Sequence, residues 1–228
     1  MAYFRKDFIK FFKELNKNNH KEWFEANRKR YEKEVKDPFH KFIDEMIGRI
    51  NADDADVRIE AKEAIFRINR DIRFSKDKTP YKTNVSAIIS SGGKKDKTIP
   101  GIYLEFNAKE IRFYGGAHMV EKEQLHNIRS AIVNNPKEFT QLIEDRGFKK
   151  RFGEIHGEQN KRLPEEFVEA TKIQPLIANK QFYYYAIIDI KNLTSDNLPD
   201  LLMEYYFAAK PMKNFLRNAI QGTILDVV

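Results

Sequence analysis

Cysteine is absent from the 228-residue sequence. Disulfide bonds, thiolate metal ligands and cysteine nucleophiles are therefore excluded, and a reducing cytoplasm is the natural compartment. Glycine and proline are scarce, with 10 and 8 residues, which argues against long disordered segments. No apolar stretch approaches the roughly 20 residues needed to cross a bilayer, and the charged start MAYFRKDF lacks the apolar core of a signal peptide. We therefore predict a soluble cytoplasmic protein without a membrane partner.

Patterns that bind metals or cofactors are also missing. The five histidines show no spacing typical of metal ligands. The basic segments lack the glycines that let backbone amides wrap a phosphate in a P-loop. We therefore predict no metal site and no cofactor.

Charged and hydrophobic residues are both abundant. With 33% charged and 41% hydrophobic residues the chain can build a sizeable core, and we predict a single domain over residues 1–228, with two domains as the alternative. The net charge is +7, and residues 58–97 hold eleven Lys or Arg against five Asp or Glu, a local excess of six positive charges. Such a segment attracts phosphate-bearing metabolites or nucleic acid. The alternative is a solvated charged face that keeps the protein soluble.

The spacing of apolar residues divides the chain into helical and strand-forming parts. Apolar residues three and four positions apart predict helices in residues 1–50, 121–147 and 196–221. Alternation with a period of two predicts strands in residues 64–115 and 181–190. The strands cluster in the middle of the chain without a repeating βαβ pattern. We therefore predict an α+β fold whose central antiparallel or mixed sheet is flanked by amino-terminal and carboxy-terminal helices.

Ionisable side chains are concentrated in residues 67–81, RINRDIRFSKDKTPY, here called the motif. The alternation in the first half predicts a strand with an apolar and a polar face. The apolar face consists of Phe66, Ile68, Ile72 and Phe74, and the polar face of Arg67, Asn69, Asp71 and Arg73. Arg70 breaks the pattern and points to the core side, where an unpaired guanidinium is unfavourable. We therefore predict that Arg70 has a carboxylate partner or a bound anion.

The same residues form the predicted binding site. Guanidinium and ammonium groups suit a phosphate, sulfate or carboxylate, and a tyrosine adds a hydroxyl donor or a stacking face. The predicted ligand-binding residues are Arg67, Arg70, Arg73, Lys78 and Tyr81. Asp71 lies among them as a predicted acid or base.

The spacing RxxRDxRFxxxKxPY of this segment resembles the signature of the bacterial domain of unknown function 2461 family. The similarity extends over nearly the whole chain, from NNHKEWFEANRKRYEKEV near the start, through GIYLEF and RFYGGAHM, to FAAKPMKNFLRNAI near the end. The resemblance implies a bacterial protein. It carries no activity, substrate or catalytic residue to this chain, so it supports the choice of site and leaves the chemistry open.

Two further candidates come from the segment after the motif. The runs on either side of the NAKE turn predict a hairpin in which Glu105 faces Arg112. We predict a structural ion pair there, and the alternative is that Glu105 pairs with a motif arginine and supplies acid or base chemistry. Gly115 and Gly116 permit a tight turn or close approach of a ligand. His118 follows them and is the best candidate for a titrating residue near the site, and the alternative is a structural role in the turn.

Three functions fit these observations. The first is binding of an anionic small molecule at the motif, with acid or base chemistry from Asp71, Glu105 or His118. The second is a structural or protein-interaction domain in which the arginines and aspartates form an internal ion-pair network. The third is a nucleic-acid-binding module, which the isoelectric point near 9.3 favours but no recognisable motif supports. We rank them in that order.

Overall fold

The computed structural model describes residues 2–222. The first part is helical, with α1 (Lys6–Lys17), α2 (Lys21–Ala26), α3 (Arg28–Tyr31), a π-helical turn (Glu32–Lys36), α4 (Asp37–Asp53) and α5 (Ala61–Ala64). Three strands follow, β1 (Asn84–Ile89), β2 (Gly101–Asn107) and β3 (Glu110–Ala117). The remaining elements are α6 (Lys122–Asn134), α7 (Pro136–Glu144), α8 (Arg146–Phe152), α9 (Glu165–Ile173), a 3-10 turn (Pro175–Ala178), β4 (Phe182–Asp189), a second 3-10 turn (Ile190–Thr194) and α10 (Leu198–Ile220).

Within the described part of the chain, four strands form one antiparallel sheet in the order β1-β2-β3-β4. Each strand therefore pairs with its neighbours in sequence, as is common when consecutive elements are adjacent in space. Helices precede and follow the strands along the chain. The predicted α+β fold with a central sheet flanked by helices is confirmed.

The described residues pack as two compact units. The first unit comprises residues 2–95, 103–113 and 187–203, and the second comprises residues 96–102, 114–186 and 204–222. Strands β2, β3 and β4 each contribute residues to both units. The single domain expected from the length of the chain stays a prediction, because compact packing does not measure independent folding.

Aromatic side chains from the amino-terminal helices form the core of the first unit. The stripe of α1 consists of Phe8, Phe11, Phe12 and Leu15, whose spacing of three and four residues places them on one helix face, and all four are buried. Phe106 of β2 lies 5.5 Å from both Phe4 and Phe39, measured between ring centroids. Burial of each such ring stabilises the fold by roughly 1.5–3 kcal/mol.

The hairpin of β2 and β3 is confirmed, with its apolar and polar residues on opposite faces. Every second residue is buried along β2 and along β3. The Asn107 side chain accepts hydrogen bonds from the backbone N–H groups of Lys109 (2.7 Å) and Glu110 (3.0 Å). An asparagine side chain that mimics a backbone turn in this way reverses the chain between the strands.

The second unit has its own aromatic core. The Tyr184 ring is fully buried and lies 5.0 Å from the Phe148 ring and 4.9 Å from the Phe152 ring. Gly115 makes this possible, because a Cβ atom there would lie 2.5 Å from the Tyr184 ring. Burial raises the pKa of the Tyr184 hydroxyl. Gly115 of β3 therefore leaves the space that the Tyr184 ring of β4 occupies.

Candidate functional site

Residues 67–81, here called the motif loop, do not form the predicted strand. Only single antiparallel bridges pair Ile65 with Ala87 and Asn69 with Tyr81. The second bridge closes the base of the loop, where the Arg70 N–H donates to the Pro80 carbonyl at 2.9 Å. The strand prediction was wrong. The turn-forming residues Ser75, Asp77 and Pro80 in the second half of the motif loop reverse the chain before a ladder of backbone hydrogen bonds can extend.

The base of the motif loop is anchored by a residue far away in the sequence. The Asn19 side chain donates to the Tyr81 carbonyl at 2.8 Å and accepts from the Tyr81 N–H at 3.1 Å. The Tyr81 ring is 5% exposed and stacks on the Phe24 ring at 3.9 Å. Burial raises the pKa of Tyr81. Tyr81 was predicted from the sequence to bind a ligand. In the structure its buried ring and its backbone anchor the base of the motif loop.

Arg70 stabilises the motif loop by hydrogen bonds to other residues of the same loop. Its guanidinium donates to the Asp77 carboxylate, to the hydroxyl and carbonyl of Thr79 and, at 3.3 Å, to the Ser75 hydroxyl. The Arg70 side chain is 25% exposed. The predicted carboxylate partner of Arg70 is confirmed, and it comes from within the loop rather than from the core.

Asp77 is the acceptor at the centre of this network. It accepts from the Thr79 N–H at 2.9 Å, and this bond, followed by those from Arg70 and the Thr79 hydroxyl, lowers the pKa of Asp77 to about 2. The carboxylate is therefore ionised throughout the physiological range. Sequence reasoning missed Asn19 and Thr79, although an aspartate two residues before a threonine is a recognisable turn signal.

The remaining ionisable groups of the motif loop lie at the surface. Arg73 donates to both oxygens of Asp71, at 3.0 and 2.6 Å, and its side chain is 75% exposed. These bonds are the largest cause of the lowered pKa of Asp71, and the charge of Arg67 adds to it. Lys78 donates to the Ile72 carbonyl at 2.9 Å. Arg67, Lys76 and Lys78 are exposed.

Phe74 differs most from the prediction of a buried apolar face. It is 96% exposed, and the guanidinium carbon of Arg73 lies 5.9 Å from the centre of its ring. Of the four residues predicted for that face only Ile68 is buried. An almost completely exposed phenylalanine next to an arginine distinguishes the loop from an ordinary hydrophilic turn.

Glu105 lies on β2 in the same unit. Its carboxylate accepts from the Tyr103 hydroxyl at 3.3 Å and lies 3.6 Å from Arg112, whose Nε donates to Glu110 at 2.5 Å. The predicted pair of Glu105 and Arg112 is confirmed. Among the contacts of residues 2–222, Arg70 and Arg73 bind the loop carboxylates and not Glu105, which does not support the alternative that Glu105 pairs with either of them.

His118 belongs to the second unit. Its exposed ring lies 5.2 Å from the Tyr183 ring. The close approach predicted at the two glycines is made by β4 and not by a ligand. A Cβ on Gly116, whose φ is +99°, would lie 2.2 Å from the Phe182 carbonyl oxygen. His118 thus contacts an aromatic side chain of its own unit, whereas the other predicted site residues lie in the first unit.

Among residues 2–222 there is no cluster of three or more histidine, aspartate or glutamate side chains that could hold a metal ion. None of the helices in that same range combines the length and apolar character that a membrane span requires.

Comparison with known proteins gives a family and no relative of known activity. No curated protein and no solved structure shows a significant match to the chain. The family described as conserved hypothetical protein (DUF2461) matches residues 7–215. This match includes the amino-terminal helices, the motif loop, the sheet and most of α10. The chain therefore belongs to the DUF2461 family of conserved hypothetical proteins.

Proposed function

We propose that the motif loop binds an anionic ligand that carries a phosphate or carboxylate group. The observation that carries the proposal is the way in which the loop uses its charges. It holds five Lys or Arg and two Asp, an excess of three positive charges. Both carboxylates are bound by arginines of the loop, Asp77 by Arg70 and Asp71 by Arg73. The excess charge therefore resides on exposed lysine and arginine side chains.

These exposed side chains have hydrogen-bond donors to offer. A lysine ammonium has three donors, and Lys78 uses one of them on the Ile72 carbonyl. Arg73 binds Asp71 through Nε and Nη2, which leaves Nη1 for another acceptor. Together with Arg67 and Lys76 these groups can supply the charge-assisted hydrogen bonds that phosphate oxygens accept.

Phe74 narrows the choice of ligand. An exposed aromatic ring can stack on a planar group, and such stacking stabilises complexes with bases. The contact of Phe74 with Arg73, in a loop with excess positive charge, therefore favours an anion that also carries a ring, such as a nucleotide, over inorganic phosphate.

Binding fits the loop better than proton transfer. The lowered pKa of Asp71 keeps this carboxylate ionised near neutral pH, so it is a weak base and has no proton to donate. Its hydrogen bonds to Arg73 also occupy both of its oxygens. We therefore assign Asp71 to positioning Arg73 and do not assign a reaction to the loop.

The competing function is a purely structural ion network. Arg70 favours it, because its hydrogen bonds within residues 2–222 all go to acceptors in the loop. We divide the motif accordingly: Arg70 maintains the loop conformation, and Arg67, Arg73, Lys76 and Lys78 contact the ligand.

A binding experiment separates the two functions. Thermal shift and calorimetry would compare a nucleoside diphosphate, a sugar phosphate, a dicarboxylate, inorganic phosphate and a short single-stranded oligonucleotide. A ligand at about 100 times its Kd should stabilise the folded protein by roughly 2.7 kcal/mol. We expect the double variant Arg67→Glu/Lys76→Glu to lose this shift. The matched control Lys36→Glu/Lys137→Glu, with the same change in net charge on exposed sites outside the loop, should keep it.

Each outcome decides between the functions. A shift by one ligand class that only the loop variant loses supports the binding function. Absence of any shift, with Arg70→Ala destabilised, supports the structural network. Binding of the oligonucleotide alone, with an affinity that falls steeply with added salt, would instead support a nucleic-acid-binding module.

A further inference from the structure

A groove of about 510 Å³ lies in the first unit, between α1 and the 3-10 turn that follows β4. Its lining includes four lysines, Lys6, Lys10, Lys13 and Lys191, and two isoleucines, Ile9 and Ile190. The volume lies within the range of about 300–1,000 Å³ that is typical of sites for small molecules. The groove shares no residue with the motif loop.

The lysines of α1 that line the groove have no countercharge in the described part of the chain. Among residues 2–222, neither Lys6, Lys10 nor Lys13 has an ion-pair partner, and no described lining residue is acidic. Within the described residues, Lys191 is the one lining lysine with an ion-pair partner, the Asp189 carboxylate at 3.9 Å. Lysines at this helical spacing repel one another and create a region of positive potential. An anion in the groove removes that repulsion.

The floor of the groove is apolar. Ile9 and Ile190 are each partly exposed, whereas the core stripe of α1 is completely buried. The aliphatic stems of the surrounding lysines extend this apolar surface while their charged ends remain in water. A hydrophobic floor with a rim of one charge sign is complementary to a molecule that has an aliphatic tail and an anionic head.

We propose that this groove binds a single amphipathic anion, an aliphatic chain that ends in a carboxylate or a phosphate ester. The chain lies on Ile9 and Ile190, and the head accepts hydrogen bonds from the ammonium groups of Lys10 and Lys13, with Lys6 adjacent. This site is independent of the function proposed for the motif loop, because the two sites use different residues.

Calorimetry with octyl phosphate, below its micelle concentration, tests the proposal on the full chain. We expect one octyl phosphate per chain, and much weaker binding of inorganic phosphate and of octanol, each of which offers half of the required chemistry. Lys10→Glu/Lys13→Glu should weaken the binding of octyl phosphate by about tenfold or more, since it replaces two charge-assisted contacts by repulsion. Ile9→Asn should weaken octyl phosphate and leave inorganic phosphate unchanged.

Three controls make the result specific. Lys36→Glu/Lys137→Glu has the same net charge as the groove variant and should bind octyl phosphate like the wild type. Repeating the titration in the Arg67→Glu/Lys76→Glu background separates the groove from the motif loop, because that background lacks two of the cations proposed to bind a phosphate at the loop. Circular dichroism checks that each variant is folded, and Lys10→Gln/Lys13→Gln replaces the charge-reversal variant if the latter does not fold.

Several results would overturn the proposal. They are the absence of octyl phosphate binding, equal affinity for octyl phosphate and inorganic phosphate, or unchanged binding by a folded Lys10/Lys13 variant. Vesicles of anionic lipid provide the last arm. Binding to vesicles that depends on Lys10 and Lys13, without binding of free octyl phosphate, would identify a membrane surface and not a single molecule as the occupant.

Discussion

The motif loop and the β2–β3 hairpin are both rich in charge, but different interactions hold them in shape. The hairpin carries its ion pair of Glu105 and Arg112 on one face and a continuous buried apolar row on the other. The motif loop has one buried residue between its ends, Ile68, and relies on hydrogen bonds to the side chains of Arg70 and Asp77. The hairpin is therefore stabilised mainly by burial, and the loop by a few polar contacts.

This difference predicts where substitutions act. Loss of an apolar group from the hairpin should lower the free energy of unfolding of the protein, because burial is the largest favourable contribution to folding. Loss of a polar contact from the loop should change the local conformation and have a smaller effect on global stability. The four predictions below test this distinction, from the largest expected effect to the smallest.

Two phenylalanines give the largest contrast. Phe106 in the hairpin is fully buried, and Phe74 in the loop is 96% exposed. Phe106→Ala should lower the free energy of unfolding by about 3–5 kcal/mol, because it removes a packed ring and leaves a cavity. Phe74→Ala should change it by no more than about 0.5 kcal/mol. Urea unfolding monitored by circular dichroism measures both, and similar effects of the two variants would contradict the comparison.

The glycine that packs against Tyr184 is the next test. Gly115→Ala places a Cβ 2.5 Å from the Tyr184 ring, and the resulting overpacking should destabilise the protein by about 1–3 kcal/mol. Gly48→Ala in α4 is the matched control, since a Cβ there meets no described atom within 4 Å beyond its chain neighbours and the backbone of its own helix. The control should stabilise the helix by up to about 1 kcal/mol. Opposite signs in urea unfolding are expected, and destabilisation by Gly48→Ala would be inconsistent with the structure.

Arg70→Ala tests the loop itself. The substitution removes the donors that bind Asp77, Thr79 and Ser75, so the free energy of unfolding should fall by only about 1 kcal/mol. Backbone amides of the loop should nevertheless exchange with solvent much faster. Hydrogen exchange followed by mass spectrometry measures this local effect. Arg73→Ala is the control, because its exposed pair with Asp71 should contribute little, and equal exchange in both variants would argue against a central role of Arg70.

The smallest effect concerns pH. The pKa of Asp77 is lowered from 3.8 to about 2, chiefly by the hydrogen bond from the Thr79 N–H. Between pH 3.8 and about 2, Asp77 is therefore less protonated in the closed motif loop than in a loop that has opened. Because the open loop binds more protons in this range, acidification favours opening. The contribution of Asp77 is complete above about pH 3.8 and is lost as the pH falls through about 2. The Thr79 amide NMR signal should titrate near pH 2, and Asp77→Asn should abolish this transition. A midpoint near 3.8 would show that Asp77 is not held by the loop.

The same alternating pattern led to a correct strand in one region and an incorrect one in another. In β2 and β3, alternation continues through the whole element, and a short turn with Asn107 brings the two strands together. In residues 66–74, alternation is interrupted at Arg70, and Ser75, Asp77 and Pro80 follow at once. Turn chemistry within the next few residues outweighed the period-two pattern, so the loop was foreseeable from the motif's second half.

The charged residues of the motif were located more reliably than their partners. The concentration of arginines, the need of Arg70 for a carboxylate and the proximity of Asp71 to Arg73 followed from composition and spacing. Asn19 could not be found in this way, because its hydrogen bonds to Tyr81 span 62 positions. Nor could the sequence show that Tyr81 would be buried on Phe24 while Phe74 would be exposed.

The sequence by itself determined the fold class, the helical stripe of α1, the hairpin and the position of the basic motif, because each depends on residues within a few positions of one another. Tertiary structure decided which aromatic side chains are buried, which carboxylate Arg70 binds and how the lysines of α1 meet Ile190 in a groove. Those outcomes depend on segments that are distant in the chain, and local propensity contains no information about which of them pack together.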